Sequence, residues 1–276
     1  MNQHGDGCAR ARLWYDRNRR DIAIEVLRSN MSLPRRSDGL SSLLVIAHRG
    51  ASAVAPESTS AAIEQAVRAN ANMIELDVQR TRDGRLVVFH DDRLERTTNG
   101  RGKLVTTSYA ALARLDAGSW FHPRFTGERI LLVSEAIRLI PPPLTVNLEL
   151  KRTRYGHALI EHLRRIVRQA RVASRVLLSS FDAGLLERWP PSDVSLALIC
   201  RERPDQSLRQ AMALGCAAWH PEHRLVTRAR IAVAHATGLR VHAWTVDDPR
   251  RARALARLGI DGVFTNDPAR LRGARP

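Results

Sequence analysis

The sequence predicts a parallel α/β fold of the eight-stranded barrel kind, on three observations. From Leu43 onward, short apolar runs alternate with longer segments of helical spacing. The chain has 276 residues, enough for one such barrel, which needs about 250 residues. Titratable side chains gather where the apolar runs end, and that is where such a barrel carries its chemistry.

The strand-like runs are 43–47, 73–78, 86–89, 144–150, 176–178, 195–199, 217–220, 239–246 and 262–265. Between them lie helical candidates at 58–70, 155–170, 207–214, 227–237 and 249–258. The first opens with Ser58 and Thr59, either of which can cap a helix. The second places Leu159, Leu163, Ile166 and Val167 on one face. One pair of runs breaks the alternation. Residues 73–78 and 86–89 are separated by a short segment ending in Asp83-Gly84, a turn signal with no room for a helix. One of these runs is therefore expected to be a hairpin arm or an irregular wall, which explains nine runs where a barrel needs eight. Residues 92–143 have weak periodicity and many turn residues, the character of a functional insertion. Residues 1–42 read as a basic extension and linker with one short helix over 15–28, ahead of a barrel domain over 43–276.

Composition narrows the class. With 44% hydrophobic and 26% charged residues, the chain is neither disordered nor collagen-like nor a coiled coil. No apolar run approaches the ~18 residues of a membrane helix, and the N-terminus has no apolar signal core. The expectation is a soluble, cytoplasmic protein. Cys8, Cys200 and Cys216 form no CxxC pair, so neither a disulfide framework nor a cysteine zinc site is expected. The net charge of +16 is almost all arginine, with Lys103 and Lys151 the only lysines. The arginines are scattered without interleaved aromatics, so nucleic acid is not expected as a partner. A basic surface does attract phosphate-bearing small molecules or anionic membranes.

The strand ends supply the chemistry. Glu75 and Asp77 alternate along one strand and so share a face. Glu149 ends another strand. Three carboxylates gathered in an apolar barrel repel one another, and one divalent cation removes that conflict. Oxygen ligands favour Mg²⁺ or Ca²⁺ over zinc. The competing reading is salt bridging to neighbouring arginines. His48 and His90 each follow a buried run. A pair of imidazoles can take and give a proton where either alone reads as core. Arg49 and Lys151 suit a phosphate. Trp244 reads as a pocket wall or core, and His220 as a candidate pocket residue. Together these residues describe metal-assisted cleavage of a phosphate ester. There is no Walker motif and no Gly-x-Ser-x-Gly elbow.

Several motifs in order resemble the glycerophosphodiester phosphodiesterase family. They are Ala47-His48-Arg49-Gly50 with Ala55-Pro56-Glu57, Glu75-Leu76-Asp77-Val78, and Val87-Val88-Phe89-His90-Asp91. Leu94-Glu95-Arg96-Thr97-Thr98-Asn99-Gly100 and Asp116-Ala117-Gly118-Ser119-Trp120-Phe121 follow in the insertion. Asn147-Leu148-Glu149-Leu150-Lys151, Ser179-Ser180-Phe181, Trp244-Thr245-Val246 and Phe264-Thr265-Asn266-Asp267-Pro268 complete the series. The resemblance implies a distorted (β/α)₈ TIM barrel. It assigns His48 and His90 as general acid and base, and Glu75, Asp77 and Glu149 as metal ligands. Arg49 and Lys151, with Glu57 and Trp244, become substrate and phosphate contacts. The implied reaction starts with attack of the glycerol 2-hydroxyl on phosphorus and yields an alcohol and sn-glycerol 3-phosphate. A lipid phosphodiester, such as a lysophospholipid, is the alternative substrate. A non-catalytic binder on the same barrel, of a phosphate ligand or of nucleic acid, ranks last. Two positions depart from the family pattern, which has Asn at both: Ser58, expected to cap the next helix, and Asp247, expected to influence head-group preference.

Overall fold

The computed structural model describes residues 43–190 and 194–273. The N-terminal extension, its expected helix over 15–28 and Cys8 lie outside the described residues.

Nine strands form one sheet: β1 (Leu44–His48), β2 (Met73–Arg80), β3 (Leu86–Val88), β4 (Thr145–Leu150), β5 (Val176–Ser180), β6 (Ser195–Cys200), β7 (Ala218–Pro221), β8 (Arg240–Ala243) and β9 (Gly262–Thr265). Eight of them close a parallel ring, with β1 bonded to β2 on one side and to β9 on the other. The exception is β3, which runs antiparallel to β2 from Val78↔Val88 to Arg80↔Leu86. Only Met73–Glu75 of β2 face β1. The hairpin arm is thus β3, turned through Gly84 at φ 83°. A left-handed residue at that position is what glycine supplies without strain.

The helices are α1 (Ser60–Arg68), α2 (Tyr109–Leu112), α3 (Val133–Leu139), α4 (Gly156–Ala170), α5 (Ala183–Glu187), α6 (Pro204–Ala213), α7 (Arg228–Ala236), α8 (Pro249–Leu258) and α9 (Pro268–Gly273). The five helices expected from periodicity are all present. The short helices α2, α3, α5 and α9 span too few turns to print a periodic pattern. Thr59, not Ser58, caps α1 by accepting from the backbone of Ala62. Ser58 cannot take the role, because its φ of 60° is left-handed and a cap residue is extended.

Alternation along each strand sorts the core. Val45, Ile74, Leu76, Val146, Leu148, Leu178, Val241 and Val263 point outward and are buried beneath the helices. Ile46, Met73, Leu177, Ala197, Ala218 and Phe264 point inward and fill the barrel, with Trp244 packed against them. Gly262 also faces inward. A Cβ there would sit 3.0 Å from the His242 ring, so the missing side chain makes room for that imidazole. The insertion between β3 and β4 has its own small core of Val87, Phe89, Leu94, Leu104, Leu112, Ala117 and Ile130. Among the described residues, no helix is long and apolar enough to cross a membrane.

Candidate active site

The ends of β1, β2 and β4 lie side by side at the C-terminal rim of the ring. Register places Glu75 beside His48 on one flank and Asn147 on the other, with Asp77 beside Glu149. One oxygen each from Glu75, Asp77 and Glu149 lies within 4.8 Å of the others. This is the geometry a single cation needs from three carboxylates. Burial and the neighbouring carboxylates Asp77 and Glu149 push the Glu75 carboxyl well above its ordinary range. Burial and Asp77 raise Glu149 as well. Asp77 is buried too, but Lys151 and Arg49 outweigh that penalty and hold it low.

The salt-bridge reading is therefore true in part. Lys151 Nζ lies 2.7 Å from Asp77 and 2.6 Å from Glu149, and Arg49 Nε lies 3.2 Å from Asp77. Glu75 is different. Its Oε2 accepts from the Arg49 backbone at 2.9 Å, while its Oε1 is buried with no partner. A buried carboxylate oxygen left bare is costly, and a cation at the centre of the trio would satisfy it. The residues present fit a hard divalent ion.

The loop after β1 is built for close approach. Arg49 is left-handed at φ 59° and Gly50 follows at φ 79°. A Cβ on Gly50 would sit 2.7 Å from the Ala62 backbone, so α1 can approach β1 this closely only over a glycine. That turn aims the Arg49 amide at Glu75 and its guanidinium at Asp77 and Glu57.

Both histidines are tethered through Nδ1. His48 Nδ1 lies 2.8 Å from Asn266 Oδ1, and His90 Nδ1 lies 2.6 Å from Asp91 Oδ1. Nε2 is then the nitrogen left for chemistry in each ring. His48 Nε2 lies 4.0 Å from Glu75. Burial, aided by Arg49, lowers His48 to about 4. Burial also lowers His90. The segment carrying His90 is pinned by Gln79 of β2, whose amide reaches the carbonyls of Phe89, His90 and Asp91 at 2.8–3.0 Å.

The insertion closes one side. Arg96 bonds both oxygens of Glu57 and both oxygens of Asp91. Arg96, which leads with these hydrogen bonds, and the His90 contact hold Asp91 down to about 2. Glu57 thus sits between two guanidinium groups, Arg49 and Arg96, at the rim. Trp244 is half-buried, edge-on to Phe181 with ring centroids 5.7 Å apart. Arg201 lies over both rings at 5.3 and 5.5 Å.

One expectation needs correction. His220 is no pocket residue: it is fully buried inside the barrel, 3.2 Å from His242 and edge-on to Phe264. Its strand position gives it the inward face but sets it too deep. Asp247 is engaged with Thr265 and Asn266, the latter in contact with His48. Sequence reasoning missed Asn266, Asp91, Arg96 and Gln79 as partners. Asp91 had a signal in adjoining His90, and Asn266 and Arg96 in the motifs that carry the resemblance, whereas Gln79 had none.

The sequence matches the glycerophosphoryl diester phosphodiesterase family over residues 48–270. It is 34% identical over 233 residues to a glycerophosphodiester phosphodiesterase of Caldanaerobacter subterraneus subsp. tengcongensis, covering 83% of this chain and 96% of that protein. A glycerophosphodiester phosphodiesterase of Bacillus altitudinis is also 34% identical, over 82% of this chain and 95% of its own length. The fold superposes on a phosphodiesterase of Oleispira antarctica, solved with the product sn-glycerol-3-phosphate, with a TM-score of 0.77 and 32% identity. That match covers 83% of this chain and 95% of the other. A TIM barrel with this ordered rim, matched along most of its length, makes this chain a member of the glycerophosphoryl diester phosphodiesterase family.

Proposed function

We propose that this phosphodiesterase hydrolyses glycerophosphodiesters to an alcohol and sn-glycerol 3-phosphate, using His48 and His90 for proton transfer. Glu75, Asp77 and Glu149 would hold one divalent cation, Mg²⁺ or Ca²⁺. The observation that carries this reading is the three-carboxylate cluster beside two imidazoles that both keep Nε2 free. The product named for the Oleispira antarctica relative is consistent with it.

A bound divalent cation supplies charge stabilisation at the phosphoryl oxygens. Arg49 brings a guanidinium fork and Lys151 a point charge to the same region, suited to a phosphate. Glu57 keeps Arg49 in place, and Trp244 offers an apolar wall. The glycerol 2-hydroxyl attacks phosphorus and its proton passes to one imidazole. The bond from phosphorus to the head-group oxygen breaks, and that oxygen takes a proton from the other imidazole. Water then opens the cyclic phosphate by the same two groups with roles exchanged.

The test is release of glycerol 3-phosphate from glycerophosphocholine with Mg²⁺, with Ca²⁺ and with chelator. Release should need a cation and fall about 10²- to 10⁴-fold in His90→Ala. No release with either cation, from this or other glycerophosphodiesters, would overturn the reading.

A further inference from the structure

The loops after β8 and β9 meet beneath His48, and the hydrogen bonds there run in one direction. Asp247 Oδ1 accepts from Thr265 Oγ1 at 2.9 Å and from the Asn266 backbone at 2.7 Å. Asp247 Oδ2 accepts from Asn266 Nδ2 at 2.7 Å. An ionised carboxylate can only accept. The Asn266 amide must therefore turn its NH₂ toward Asp247 and its Oδ1 away. A carboxamide that could otherwise sit either way round is fixed by its partner.

The freed Oδ1 lies 2.8 Å from His48 Nδ1, and the Ser52 hydroxyl lies 3.0 Å from the same oxygen. A carbonyl oxygen also only accepts, so the His48 proton belongs on Nδ1 and the lone pair on Nε2. That lone pair points to the side of the ring where Glu75 lies, 4.0 Å away. Asp247 touches neither the carboxylate trio nor His48 in this network.

We infer that Asp247 is a positioning residue: acting through the Asn266 amide, it sets His48 in the Nδ1–H tautomer and turns the basic Nε2 to the reacting atoms. The consequence for turnover rests on the function proposed above for His48, while the tautomer does not.

Donor and acceptor arithmetic makes this testable. In Asp247→Asn the new amide oxygen must keep the Asn266 backbone N–H, so its NH₂ replaces Oδ2 and the Asn266 amide turns over to present NH₂ to His48 Nδ1. Asn266→Asp alone places two carboxylates side by side. The double exchange, Asp247→Asn with Asn266→Asp, restores one direction. The introduced amide donates to the introduced carboxylate, whose other oxygen accepts from His48 Nδ1–H.

The experiment uses the full chain with Mg²⁺ and ¹⁵N-labelled histidine. The His48 ring is assigned by its loss in His48→Gln, and long-range ¹H–¹⁵N correlations report which nitrogen carries the proton. Turnover of glycerophosphocholine is measured alongside. The wild type should show Nδ1–H. Asp247→Asn should move the His48 proton to Nε2 and lower kcat about 10- to 100-fold with KM changed less than about threefold, as for other residues that orient an imidazole. The double exchange should recover the Nδ1–H pattern and most of kcat. An unchanged tautomer or kcat in Asp247→Asn overturns the inference, as does a double exchange no better than the single variants. If the single variant Asp247→Asn is too unstable to study, the double exchange against Asn266→Asp decides the matter alone. Should the wild type prove inactive on glycerophosphodiesters, the functional proposal fails and the ring pattern still decides the role of Asp247.

Discussion

Asp91 Oδ1 lies 2.6 Å from Nδ1 of His90, and Arg96 grips the same carboxylate from the insertion. The imidazole is thus oriented by a group that the insertion itself holds in place. Asp91→Asn should lower kcat by about 10- to 100-fold with a smaller change in KM. Arg96→Ala should act in the same direction and more weakly, because Asp91 keeps its contact with His90. Steady-state kinetics on glycerophosphocholine checks both. A loss confined to KM would make this pair a binding element instead.

Removal of the cation should be visible in stability as well as in rate. The trio carries repelling charge around a bare Glu75 oxygen. At a cation concentration about 100 times Kd, binding adds about 2.7 kcal/mol. In a protein of this size that is a rise in Tm of roughly 5–10 °C. Glu75→Gln should abolish the rise while leaving the chelated protein at least as stable as the wild type. Thermal melts with Mg²⁺, Ca²⁺ and chelator test it, and an equal rise in the variant would place the cation elsewhere.

Acid should weaken the barrel from within. His220 and His242 are buried against each other, and burial holds both below their ordinary value, His242 at about 4. The folded state therefore favours the neutral rings. Their contribution is complete above pH 6.5 and is lost as pH falls from there toward about 4. For His242 the loss is on the order of 3 kcal/mol at the acid end. His48 and His90 titrate in the same direction, so the comparison needs a variant. His242→Leu should flatten the acid limb of a Tm–pH curve relative to wild type. Parallel curves for the two proteins would count against it.

Gly50 is the backbone counterpart of the side-chain site. Its φ is 79° and an added Cβ would meet the Ala62 backbone at 2.7 Å. Gly50→Ala should cost about 1–3 kcal/mol and lower activity further than the stability loss explains. The shift moves the Arg49 amide away from Glu75. A melt and a kcat measurement below the melting range separate the two effects.

The strand ends were legible because a two-residue period assigns faces without knowledge of the fold. Glu75 with Asp77, and Asn147 with Glu149, point inward for that reason. Facing is not depth, and His220 shows the difference: it has the inward face yet is fully buried against His242 and Phe264. Ser58 and Thr59 were equivalent caps until φ distinguished them. The Asp247–Asn266–His48 chain joins residues more than 200 positions apart, and its direction depends on which end of an amide faces which oxygen. No spacing in the sequence encodes that.

The hairpin arm has a consequence for how such enzymes can diversify. By pairing with β3, the last residues of β2 part from β1, and the segment after β3 builds its own small core before α3 returns to the barrel wall. The ring's strand pairings include none of residues 92–130, and lengthening a loop carries only a slow entropic penalty. Substrate range can therefore drift by exchange of the insertion while the carboxylate trio and the two imidazoles stay under separate selection. Arg96 is the joint between these two inheritances, since it ties the insertion to Glu57 and Asp91.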